Sequence, residues 1–172
     1  MRSLFFVVLS LLTICCQSKS SGRRELSFTE NSVGSIMIGQ PREEVLRLLG
    51  THKWKEVDWA PEGEVIGTVI EVYEGKELLF SAEIYKGSVY RLNVMSPQVR
   101  TRDGIGVGST LGEIKKRFGS SPRLLTGEDG LFAVFMFKKG VMSFGLDVPE
   151  PFEKYASEKT KVRFVLITNG GD

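Results

Sequence analysis

Ile36-Met-Ile-Gly-Gln-Pro-Arg-Glu-Glu-Val-Leu-Arg-Leu-Leu-Gly50 aligns without a gap on Ile105-Gly-Val-Gly-Ser-Thr-Leu-Gly-Glu-Ile-Lys-Lys-Arg-Phe-Gly119. The shared pattern is I-x-[IV]-G-x-x-x-x-E-[VI]-x-[KR]-x-[LF]-G, and the copies stand 69 positions apart. Each copy reads as a short extended segment, a glycine turn, a helix of two to three turns and a glycine stop. A repeated supersecondary unit implies a duplicated half, and so constrains architecture more than chemistry.

Working outward, each helix is followed by strand signals. Val45, Leu48 and Leu49 form one apolar stripe, and Leu111, Ile114 and Phe118 the other. Thr110-x-x-Glu113 is a capping box, whereas the first copy carries Pro41 in its place, which suits a first helical turn. After the first helix, segments 53–57, 65–73, 78–85 and 89–95 read as strands, the last two joined by a turn at Lys86-Gly87-Ser88. Alternation there puts Tyr90, Leu92 and Val94 on one side and Arg91 and Asn93 on the other. After the second helix come 131–137, 141–147 and 162–168, with Met142, Phe144 and Leu146 echoing the Tyr90 face. The expected fold is α+β: two tandem repeats, each a short helix packed on an antiparallel β-meander. The repeats occupy 33–97 and 98–172, with Ser96–Asp103 as the junction.

The 172 residues, 41% hydrophobic and 26% charged, are those of an ordinary globular protein. A net charge of only +2, with no long basic run, argues against nucleic acid as a partner. Met1-Arg2-Ser3 followed by apolar Leu4–Ile14 matches a secretory signal, because the run is far short of the roughly 20 residues a membrane-spanning helix needs. The run stops at Cys15-Cys16, the chain's two cysteines. This resembles a bacterial lipoprotein signal, whose cysteine is acylated, as by palmitate, and becomes the mature N-terminus. Cys15 has Leu12 three residues upstream but bulky Ile14 before it; Cys16 has the smaller Cys15 before it but loses the leucine. A plain secretory signal cut near Ser18 is the alternative. The resemblance implies a signal peptide at 1–14, a flexible tether at 15–32, and localisation in the cell envelope. The protein would be lipid-anchored to a membrane, facing the periplasm or the exterior.

The segment Asp103-Gly-Ile-Gly-Val-Gly-Ser-Thr-Leu through Phe118-Gly119 resembles a pattern common in uncharacterised bacterial envelope lipoproteins. The first copy is similar to the helix start in the small lipoprotein of the outer-membrane β-barrel assembly machine, and in the secreted β-lactamase-inhibitor proteins. The latter are built from two tandem helix-plus-sheet repeats, and the resemblance spans residues 33–168. The inhibitors carry disulfides and the assembly lipoprotein has one repeat, so no functional residue is carried over from either.

Chemical motifs are sparse. His52, the single histidine, reads as a loop residue, so no paired-histidine metal site and no histidine-based triad is recognisable. Gly104–Gly112 has the wrong spacing for a dinucleotide fingerprint and reads as turn geometry, with an anion site at the helix start as the alternative. Glu43, Glu44 and Glu113 sit in first helical turns, where the helix dipole favours acids. No cofactor, metal or catalytic residue is expected, and a small hydrolase is the weaker enzymatic alternative. Trp54 and Trp59 flank a charged segment and, with Tyr85, Arg91 and Asn93, are the candidate partner-binding residues, since tryptophan is enriched at binding hot spots. The plain alternative is that the tryptophans cap the core and the others are solvated strand positions. The expected function is a non-enzymatic protein-binding or scaffold lipoprotein; the alternative is an inhibitor-like binder of an envelope enzyme.

Overall fold

A computed structural model describes residues 26–119 and 121–169. The signal, both cysteines and the tether up to residue 25 lie outside the described residues.

The fold is α+β, dominated by an antiparallel sheet. A small hairpin, β1 (Ser32–Val33) and β2 (Ile36–Met37), precedes helix α1 (Arg42–Leu49). Four strands follow: β3 (Lys53–Trp59), β4 (Gly67–Glu74), β5 (Glu77–Tyr85) and β6 (Ser88–Val94). Then come α2 (Leu111–Phe118), β7 (Arg123–Gly127), β8 (Gly130–Phe137), β9 (Gly140–Leu146), the single-turn α3 (Phe152–Tyr155) and β10 (Val162–Thr168). The eight long strands form one sheet in the order β3-β4-β5-β6-β10-β9-β8-β7. The join is the β6–β10 pair, with Val94 opposite Val165 and Leu92 opposite Ile167.

The repeated sequence does a specific job at each helix start. Gly39 and Gly108 take φ of 84° and 85°, a conformation that L side chains rarely adopt. That turn lets Gly39 N–H donate to the Val89 carbonyl while Val89 N–H donates to the Gln40 carbonyl. In the second copy Gly108 donates to Val162, and Val162 donates to Ser109. The helix starts are therefore each clipped to the beginning of a strand, β6 and β10. The next side chain closes the turn in both: Gln40 Oε1 accepts from Met37 N–H at 2.9 Å, and Ser109 Oγ from Gly106 N–H at 3.1 Å. Both polar side chains are buried, so the bonds offset a desolvation cost.

Alternation along the strands puts Ile70, Val72, Phe80, Ala82, Ile84, Leu92 and Val94 on one sheet face. Val45 and Leu49 of α1, and Leu111 and Ile114 of α2, complete the same core. In α2 the capping box forms in full: Glu113 N–H donates to Thr110 Oγ1 at 3.2 Å, and Thr110 N–H to the Glu113 carboxylate at 2.7 Å. These bonds, the Thr110 backbone amide's first, hold the Glu113 carboxyl below its usual range. Pro41 caps α1 without a side-chain bond.

Three sequence expectations need correction. The folded body begins before residue 33: Phe28 is in the core, its N–H donates to the Arg100 carbonyl, and the Glu30 carbonyl lies against Gly140. The second half contains a fourth strand, β7, which has no apolar alternation and is exposed at every residue. Tyr90 does not share the Leu92–Val94 face. The β5–β6 register shifts between Glu83 and Ile84, leaving Tyr90 unpaired and turned to the other side, 51% exposed.

Candidate functional site

Both long helices bury their apolar residues in the core on one side of the sheet; the opposite side, hereafter the open face, carries the chain's most distinctive side-chain cluster. Trp59, at the end of β3, pairs across to Gly67 of β4, and Gly67 pairs to Tyr85 of β5. A Cβ on Gly67 would lie 3.0 Å from Trp59 Cε3 and 2.2 Å from the Ile84 carbonyl oxygen. Glycine is thus required for the indole to lie down over the strand and approach the next ring. Trp59 meets Tyr85 edge-on, with centroids 6.3 Å apart, and stacks on Tyr90 at 6.0 Å. Tyr85 and Tyr90 also meet, at 6.0 Å. Such ring pairs contribute about 0.5–1.5 kcal/mol each beyond burial.

Charge is woven into the cluster. Glu83, 7% exposed, accepts from Arg91 Nε at 2.8 Å, and the Arg91 guanidinium sits 6.0 Å from the Trp59 ring. Lys86 Nζ lies 5.1 Å from the Tyr85 ring. Further along the same face Lys55 pairs with Glu71 at 2.8 Å, Tyr73 donates to Glu71, and Lys55 lies 5.5 Å from the Tyr73 ring. The hydrogen bond to Glu71, then that to Tyr73, pushes the Lys55 ammonium up to about 12. Burial would raise the Glu71 carboxyl, but the bonds from Lys55 and Tyr73 outweigh it and hold Glu71 below its usual range.

The sequence-derived candidates divide. Trp59, Tyr85 and Arg91 come together, joined by Tyr90, Glu83 and Gly67, which sequence reasoning had not selected. Asn93 stands two residues from Arg91 on the same face, and its buried Oδ1 has no hydrogen-bond partner among the described residues. Trp54 lies elsewhere. It pairs across to core residue Val72 on the helix side, the side where Glu56 takes a bidentate contact from Arg42 of α1. That contact holds the Glu56 carboxyl below its usual range. Five positions separate Trp54 from Trp59, and period-two alternation sends an odd separation to opposite faces.

The second half repeats the glycine device with apolar rings. Gly145 of β9 lies between Phe132 of β8 and Phe164 of β10, whose rings meet edge-on at 5.7 Å. A Cβ on Gly145 would come within 2.5 Å of Phe164 Cζ. Around it on the open face stand Val134, Val141 and Leu166, and the Arg163 guanidinium lies 5.4 Å from the Phe164 ring.

A groove of about 590 Å³ beside the start of α2 is roomier but chemically engaged. Its Arg100 donates to the Pro97, Gly104 and Val107 carbonyls, Arg117 pairs with Asp103, and Glu113 closes the capping box. His52 is exposed beside Leu48, Leu49, Val72 and Phe80. No group of three His, Cys, Asp or Glu side chains converges as a metal site would among the described residues.

The fold is similar to that of a solved structure, the uncharacterized protein yfeY from Escherichia coli. The TM-score is 0.61 at 14% identity, over 84% of this chain and 99% of that one. At that identity the likeness concerns the fold alone. No family model matches the chain, and no curated protein matches it.

Proposed function

We propose that the chain is a non-enzymatic envelope lipoprotein that holds another envelope protein on the open face of β3–β6. The observation carrying this reading is the Trp59–Tyr85–Tyr90 cluster with Arg91. Aromatic and arginine side chains dominate interface energetics, and here they stand on a sheet whose geometry is held by paired strands. The cluster is preorganised by ring stacking and by the Glu83–Arg91 pair, so binding would order few side chains. Cys15 or Cys16 supplies the lipid anchor in this reading, after removal of 1–14, and the body faces the periplasm or exterior. The halves, 33–97 and 98–172, are tandem copies in this reading, supported by the matched clips at Gly39 and Gly108 and by the mirrored strand order.

A second reading, an inhibitor-like binder of an envelope enzyme, is favoured by one feature. Each half sets a helix ahead of antiparallel strands of one sheet, and two tandem helix-plus-sheet repeats are what the resemblance to secreted inhibitors implies.

The test is crosslinking and capture from intact envelopes with three full-length proteins: the native chain, Trp59→Ala/Tyr90→Ala, and Trp54→Ala. A partner held by the native chain and by Trp54→Ala, but lost from a folded Trp59→Ala/Tyr90→Ala protein, supports the open face. Retention by all three, or loss with Trp54→Ala alone, refutes it. If that partner is an enzyme whose turnover falls on binding, the inhibitor reading is selected.

A further inference from the structure

The two outer strands of the sheet differ in a way that bears on self-association. A sheet edge offers unpaired backbone groups to any incoming strand, and proteins guard it with charge, especially lysine. Edge strand β3 is guarded: Lys53, Lys55, Glu56 and Asp58 occupy four of its seven positions. Edge strand β7, Arg-Leu-Leu-Thr-Gly, has one charge, at its first residue, and its Leu124 and Leu125 are 43% and 41% exposed. Among the described residues β8 is its sole strand neighbour.

We propose that β7 pairs antiparallel with β7 of a second copy of this chain, about a two-fold axis through Leu125. The strand is complementary to itself in that register. Leu125 meets Leu125 of the copy on the open face, where each is backed by its own cross-strand partner Phe132. Arg123 stands opposite Gly127 of the copy, next to that copy's Glu128-Asp129 turn. Each end of the ribbon therefore sets the Arg123 guanidinium beside two acids, in a turn where Arg163 already donates to the Asp129 carbonyl. Apolar side chains of the open face, Phe132, Val134 and Met136, the last 74% exposed, extend toward this edge on both copies, with Arg123 the charge that β7 adds to that face. An unrelated strand would have to reproduce both features, whereas a second copy brings them by symmetry. A five-residue ribbon buries less than the roughly 1,200–2,000 Å² of a stable interface, so the dimer is weak and concentration-dependent.

Two measurements on the full chain, purified in mild detergent, test this. Cross-strand Cβ atoms stand about 4.5–5.5 Å apart, near disulfide reach. Under mild oxidation Leu125→Cys is expected to give a species of twice the chain's mass, above the background that Cys15 and Cys16 give in the native chain. Val57→Cys, on the guarded edge, is expected to give none above that background. Equal crosslinking of the two variants, or none from Leu125→Cys, overturns the proposal. Sedimentation equilibrium is expected to show native chain shifting from monomer to dimer with concentration, and Leu125→Lys staying monomeric. A native chain that is monomeric up to about 1 mM, or a Leu125→Lys variant that dimerises equally, overturns it.

Discussion

Gly67→Ala is the sharpest perturbation of this molecule, because one methyl group probes both the sheet and the aromatic cluster. The φ of Gly67 lies outside the left-handed region, so backbone strain plays no part and the effect is steric. The added carbon would stand 2.2 Å from the Ile84 carbonyl oxygen and 3.0 Å from the indole edge of Trp59. The first contact is with backbone and cannot be relieved by a rotamer change; β4 and β5 must separate by the order of 1 Å or the strand must twist. Overpacking of this kind costs about 1–3 kcal/mol. For a chain of this size that corresponds to a fall in Tm of about 2–12 °C. The indole must also lift, breaking its stack on Tyr90. Calorimetry and indole fluorescence, both in a Trp54→Phe background so that Trp59 reports alone, read the two effects. A lowered Tm with a shifted Trp59 emission is expected. Unchanged Tm and emission would refute the claim that glycine is needed beneath the ring.

Two further predictions concern local bonds. Thr110→Ala removes the oxygen that caps α2 and is expected to cost about 1 kcal/mol in urea unfolding; an unchanged midpoint would mean the box contributes nothing. Acid sensitivity should run through Glu71, Glu56 and Glu113, whose carboxyls are all held below their usual range. A depressed carboxyl contributes stability above its unfolded value of about 4.3 and loses it as pH falls through the folded value. Lys55, raised to about 12, contributes below its unfolded value of about 10.4 and loses that contribution as pH rises through about 12. Glu71→Gln is therefore expected to flatten both the acid and the alkaline limbs of a Tm-against-pH curve. Limbs parallel to those of the native chain would contradict the Lys55–Glu71–Tyr73 assignment.

Much of the candidate site was legible as residue types and little of it as geometry. Trp59, Tyr85 and Arg91 stood out because large rings and a guanidinium at strand positions are good interface material. Tyr90 did not, since a bulge breaks the alternation that would have buried it, and no residue near Glu83–Ile84 announces the shift. Gly67 was readable in principle as an interior strand glycine, but its meaning depends on which ring crosses it. Trp54 and Trp59 read together as the flanks of one charged segment; in a strand that runs to residue 59, alternation alone separates them.

What the sequence determined by itself was whatever rests on contacts between near neighbours. The two helices, the capping box, the turning glycines and most hairpins follow from patterns a few residues long, where propensity and periodicity act. The tertiary structure alone decided the rest. The β6–β10 join unites segments about 70 residues apart. Strand β7 exists because β8 offers it an edge, since its own sequence lacks the alternation that marks a strand. The aromatic cluster assembles three strands through a glycine and a bulge, and its energy comes from rings brought together across the sheet. Such contacts depend on register, which is set by burial of the whole face and not by any local stretch.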